Sequence, residues 1–268
     1  MVFPEWALGR EFSFLGRDED TTKEEFIDFI KSHIDEGYPC IALGIIGPPE
    51  PCIITGYRKN GEELLGWNFF QNDPEFAANL EVDESGYFIC NNWWENTDTQ
   101  AVMCMGAIEG EKISTWDIIQ NGIKVLKSRT EYDYSKGICA YDAWKKAIQN
   151  DSEFAVTDNL FVLFEKMLCQ MDAMTCITDG RGNAAKFFRS LGETDPVNRE
   201  AYALMADAFT RCAAAVEKMW TLFGDTSNME GMLEKLADKS VRERVCELIN
   251  AAKSADSEAL SLMESLMK

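Results

Sequence analysis

The sequence predicts an α+β fold: a mainly antiparallel half-sheet followed by an α-helical bundle. Up to about residue 110, short apolar runs are punctuated by Gly and Pro, the mark of strands and turns. Beyond residue 112 the apolar residues fall at helical spacing almost to the end. No low-complexity linker separates the two regimes. Domains are therefore expected at 1–110 and 111–268, packed together across a short junction near Gly110.

Strands are predicted at Arg10 to Leu15, Pro39 to Ile46, Cys52 to Tyr57, Glu63 to Phe69, Tyr87 to Cys90 and Ala101 to Ala107. One helix interrupts them. Thr21 or Thr22 caps it, Glu24 and Glu25 suit its first turn, and Gly37 and Pro39 end it. Its apolar stripe is Phe26, Ile27, Phe29, Ile30 and Ile34. Arg58-Lys-Asn-Gly61 reads as a hairpin turn with Asn-Gly at the tip. In the second half, Ser114 or Thr115 caps a helix through Leu126, and Tyr141 to Ile148 forms another. Phe161 to Cys176 is apolar nearly all round, as a buried central helix would be. Helices are also expected at Asn183 to Leu191, Arg199 to Phe223, Met229 to Leu236, Val241 to Ala252 and Glu258 to Met267, with Gly192 and Gly224 as stops. Asp179-Gly-Arg-Gly-Asn183 reads as a turn with a helix cap; it lacks the Lys-Ser/Thr of a P-loop.

Composition narrows the function. The 268 residues carry a net charge of −20, which opposes binding to nucleic-acid phosphates and to an anionic membrane. No run of about 18 apolar residues is present, and Met1 to Ala7 has no basic region leading into an apolar one. The nine cysteines form no C-x-x-C pair and mostly sit in apolar runs. That pattern fits buried free thiols in a reducing cytoplasm. With one histidine and no cysteine cluster at ligand spacing, no metal site is expected, and no cofactor.

Four strings stand out: Glu50-Pro-Cys-Ile-Ile-Thr-Gly-Tyr57, Glu63-Leu-Leu-Gly-Trp-Asn-Phe-Phe70, Gly86-Tyr-Phe-Ile89 and Gly137-Ile-Cys-Ala-Tyr-Asp-Ala-Trp144. Together they resemble the family of butirosin biosynthesis protein H and, more distantly, papain-like cysteine peptidases. The resemblance implies a papain-like half ahead of an α-helical half. It also implies where the chemistry would sit. The catalytic His of such folds opens the strand that runs to Gly56-Tyr57, and that position here is Glu50. The orienting group falls on Trp67 or Asn68. The nucleophile starts a helix upstream of the sheet, whereas the first cysteine here is Cys40, inside a predicted strand. The chain is expected to begin after that helix, and to lack peptidase activity.

Each candidate has a structural alternative. Glu50 is either a base or a carboxylate in the rigid loop Gly47-Pro-Pro-Glu-Pro51. Cys52 is a displaced nucleophile or a buried strand thiol. His33, the only imidazole, is a base or borders the polar face of its helix. Trp93, with Trp94, walls a ligand pocket or fills the core. Two functions follow. One is a non-catalytic protein holding a small molecule or acyl group, with Glu50, Trp67, Asn68 and Trp93 as ligand-binding residues and a cationic or neutral polar ligand favoured by the acidity. The other is an acyltransferase or thiol-dependent amide-bond enzyme, which the resemblance permits.

Overall fold

A computed structural model describes residues 9–78, 80–108, 110–111, 113–131, 134–155 and 160–268. The segment Met1 to Ala7 lies outside them. The chain divides into two compact units, Met1–Ser114 and Thr115–Lys268, with the division a few residues past the Gly110 junction. The fold is α+β, with antiparallel pairing throughout the first unit's sheet.

In the first unit the strands are β1 (Arg10–Gly16), β2 (Cys40–Leu43), β3 (Pro51–Arg58), β4 (Glu63–Trp67), β5 (Glu81–Val82), β6 (Phe88–Cys90) and β7 (Ala101–Ile108). They form one sheet in the order β1-β7-β2-β3-β4-β6-β5. Six of these strands match the predicted runs; β5 is two residues long and too short for periodicity to reveal. The β3–β4 turn is sharp. Lys59, Asn60 and Gly61 all take positive φ, and a Cβ on Gly61 would crowd Ile27.

Register decides which residues face the core. Cys40 pairs with Ile54 on one side and Cys104 on the other, and Ala42 pairs with Cys52 and Val102. All six are buried. Helix α1 (Lys23–Asp35) covers this face with Phe26, Ile27 and Ile30. Burying each such side chain contributes about 1.5–3 kcal/mol. Thr22 caps α1 and forms a reciprocal capping box with Glu25. Gly37, at φ +90, and Tyr38 return their N–H groups to Ile34 and His33, closing the C-terminal end.

The opposite face carries a row across five strands: Phe14, Met103, Ile41, Ile53 and Trp67 are successive cross-strand partners. Phe14, Ile53 and Trp67 are exposed there.

The second unit contains α2 (Thr115–Lys127), α3 (Ile138–Ile148), α4 (Leu160–Thr194), α5 (Arg199–Phe223), α6 (Met229–Ala237) and α7 (Lys239–Leu266). Its only strands among the described residues are the two-residue β8 (Thr130–Glu131) and β9 (Tyr134–Ser135). Several sequence expectations need correction. Phe161 to Cys176 is not the buried centre, because Phe161, Val162, Leu168, Cys169 and Cys176 are exposed. That place belongs to α5, where small Ala206, Ala208, Ala213 and Ala215 let neighbours approach on several sides. Secondly, Asp179 to Asn183 is not a turn. α4 runs straight through Gly180 and Gly182, while Arg181 between them is anchored on buried Asp256 by bonds of 2.7 and 2.9 Å. Gly192 likewise lies within the helix rather than stopping it. Thirdly, Val241 to Ala252 and Glu258 to Met267 are one helix, α7.

Candidate functional site

The loop from Gly44 to Glu50 joins β2 to β3 and forms one wall of a cleft of about 700 Å³ within the first unit. The loop is held rather than free. Gly44 and Gly47 have φ near +78 and +71, a conformation other L-residues seldom adopt. A Cβ on Gly44 would collide with the Asp98 carbonyl, and one on Gly47 would lie 3.1 Å from the Phe76 ring. Asn96 donates from Nδ2 to the carbonyls of Gly44 and Gly47, the latter at 2.9 Å. Thr99 Oγ1, fully buried, lies 3.2 Å from the Gly44 carbonyl and 2.8 Å from that of Trp93. Buried polar groups of this kind fix a loop because breaking one strands its partner.

The cleft has two chemical characters. Ile45, Ile46, Pro48, Phe76 and Leu80 supply apolar surface, while Glu75, Glu95 and Asp98 line the same space with exposed carboxylates. None of the described lining residues is basic. Three carboxylates around one concave, partly apolar surface focus a negative potential where a ligand would lie. Asn91 and Asn92 add exposed amides.

Of the residues singled out from sequence, Cys52 and Asn68 meet in the core, and the others are spread over the unit. Glu50 is exposed; its N–H donates to the Pro48 carbonyl at 2.6 Å and its carbonyl accepts from Gly44. It closes the loop, while the cleft is lined by Gly47 and Pro48. Cys52 is 1% exposed and faces the core. Burial pushes its thiol up to about 12, against small opposing effects from the Ile45 and Ala42 backbone and the Asn68 amide. A thiol so placed is scarcely ionised near neutrality. Asn68 is fully buried and serves a turn after β4: its Oδ1 accepts from Phe70 N at 2.6 Å and its N–H donates to Gln71 Oε1 at 3.1 Å. Trp67 lies on the outer face, 48% exposed and opposite Ile53. Trp93 is fully buried and donates Nε1–H to the Gly61 carbonyl at 3.3 Å. It is a core residue with no surface for a ligand, because a loop tucks it under the β3–β4 turn.

His33 is half-buried on α1 and lies beside Cys40 and Cys104, not beside Glu50 or Cys52. The sequence offered no sign of this grouping, since the three residues share no local spacing. The acidic cleft was missed for the same reason: Glu75, Glu95 and Asp98 come from loops that pattern reading passes over.

The second unit has a cavity of about 390 Å³ lined mainly by apolar residues of α2, α4 and α5, with Arg181 at its edge. Arg181 is committed to Asp256, which also accepts from Tyr141 Oη at 2.8 Å. Burial opposes the Arg181 charge, but the Asp256 hydrogen bonds outweigh it and hold the guanidinium above its ordinary range. This is an anchor for the helices. Compared with known proteins, the chain matches no family model and no curated sequence.

Proposed function

We propose that the first unit is a non-catalytic binding module for a small cationic or neutral polar organic molecule, built on a degenerate papain-like half-sheet. The observation that carries this reading is the cleft of about 700 Å³ beside Gly47 and Pro48, with an apolar wall and three carboxylates. Small-molecule sites usually occupy about 300–1,000 Å³ and combine apolar surface with a few polar groups. The pinned loop supports pre-organisation, which lowers the ordering cost of binding. The core position of Cys52 supports the absence of thiol chemistry, and the exposed Glu50 has no imidazole beside it. No helix is long and apolar enough to cross a membrane among the described residues. All nine cysteines are free, which supports a reducing, cytoplasmic setting for the module.

The test is calorimetric titration with spermidine at matched ionic strength, followed in parallel by tryptophan fluorescence. Saturable one-site binding is expected, weakened at least about tenfold in Glu75→Gln/Glu95→Gln, as loss of about 1.4 kcal/mol would produce. A non-saturating response unchanged by the substitutions would assign the effect to the overall charge and end the proposal. Native alkylation with iodoacetamide addresses catalysis. Exposed Cys169 and Cys176 should label first, with Cys52 protected until unfolding. Rapid stoichiometric labelling of Cys52 would favour the acyltransferase reading instead.

A further inference from the structure

We propose that Cys40, Cys104 and His33 form a binding site for one soft, thiophilic metal ion, with Cu(I) as its occupant. Cys40 and Cys104 are directly opposed on β2 and β7, so antiparallel pairing places both side chains on the core face. His33 stands three residues beyond Ile30 on α1, the same face of the helix that packs on the sheet. One donor atom from each of the three lies within 4.8 Å of the others. No carboxylate joins the group among the described residues.

The imidazole is already oriented. Its Nδ1 lies 2.8 Å from the Phe29 carbonyl oxygen. A carbonyl only accepts, so Nδ1 carries the proton and Nε2 keeps its lone pair for a metal. A ring N–H bonded to a backbone carbonyl is the usual support for a ligating histidine. The Phe29 ring, 4.4 Å away between centroids, further limits rotation. The thiols are 0% and 1% exposed, while half-buried His33 leaves an approach from solvent.

The ligand set selects the ion. Two sulfurs and an imidazole are soft and borderline donors, unsuited to Mg²⁺ or Ca²⁺. Zinc takes four ligands, and a three-residue zinc site keeps a water in the open position. With both sulfurs enclosed by the core, three-coordinate Cu(I) fits better. Met103 and Met105 flank Cys104 in sequence, but strand alternation sends their thioethers to the opposite face. This site is independent of the acidic cleft, and either can fail without the other.

The experiment is anaerobic Cu(I) titration against the chromophoric competitor bicinchoninate, with a phosphine reductant keeping thiols reduced. Cys169→Ser/Cys176→Ser is used as background to remove exposed thiols. One equivalent should be withdrawn from the competitor, and X-ray absorption should show two sulfurs and one nitrogen around copper. His33→Gln and Cys104→Ala should each weaken binding by more than the roughly 10–100-fold typical of losing a supporting group. Cys52→Ala should leave it unchanged. His33 is half-buried, so its replacement tests the site even if Cys104→Ala fails to fold, which circular dichroism reports. Equal Cu(I) affinity in His33→Gln and parent would overturn the site. Retention of Zn(II) in preference to Cu(I) would overturn the ion assignment.

Discussion

Asp256 illustrates how much one side chain organises. It is fully buried and accepts three hydrogen bonds from Arg181 and one from Tyr141. Tyr141 in turn lies 3.4 Å from Cys212. Removing one partner from such a pair leaves a buried charge uncompensated, at about 3–5 kcal/mol. Arg181→Ala is therefore expected to lower stability by that order in chemical denaturation. Tyr141→Phe should cost less, since Arg181 still neutralises the carboxylate, and a larger loss from Tyr141→Phe than from Arg181→Ala would count against this account. None of this is legible in the sequence, where Arg181 stands in a glycine-rich string and its partner lies 75 positions away. Cys52 and Asn68 show the converse. Both stand out in the sequence, yet their orientation into the core gives them structural roles.

Helix α4 and helix α1 make contrasting cases. α1 was legible to its caps, because capping box, stripe and terminal glycine all act within a few residues. Thr22→Ala should cost about 1 kcal/mol, measurable as a lower melting temperature of the sheet unit. α4 defeated the same reasoning, because Gly180 and Gly182 oppose helix locally while tertiary bonds from Arg181 hold it together. Nothing lies within 4 Å of where a Cβ would stand at either glycine. Gly180→Ala/Gly182→Ala is thus expected to raise stability by about 1–2 kcal/mol in urea unfolding. Unchanged or reduced stability would mean that the glycines serve something other than helix geometry.

Across the molecule, buried thiols couple stability to alkaline pH. Burial holds Cys52 and Cys212 up at about 12 and Cys90 at about 11, against an ordinary value of 9.0. These groups have folded values above their unfolded ones, so their contribution is intact below pH 9 and is lost as pH rises toward 11–12. Melting temperature should stay level between about pH 7 and 8.5 and fall steeply beyond 9, with Cys52→Ala, measured against its own neutral-pH value, falling less. An equal alkaline loss in that variant would exclude Cys52 as a contributor. Composition was enough for the acidity, and periodicity for the α+β division, six of the strands and the first helix, because propensity, patterning and capping act over neighbouring residues. The continuity of α4 and α7, the central place of α5, the carboxylate cleft and the meeting of His33 with Cys40 and Cys104 rest on contacts between distant segments. Such contacts depend on strand register and helix packing, which no local pattern encodes.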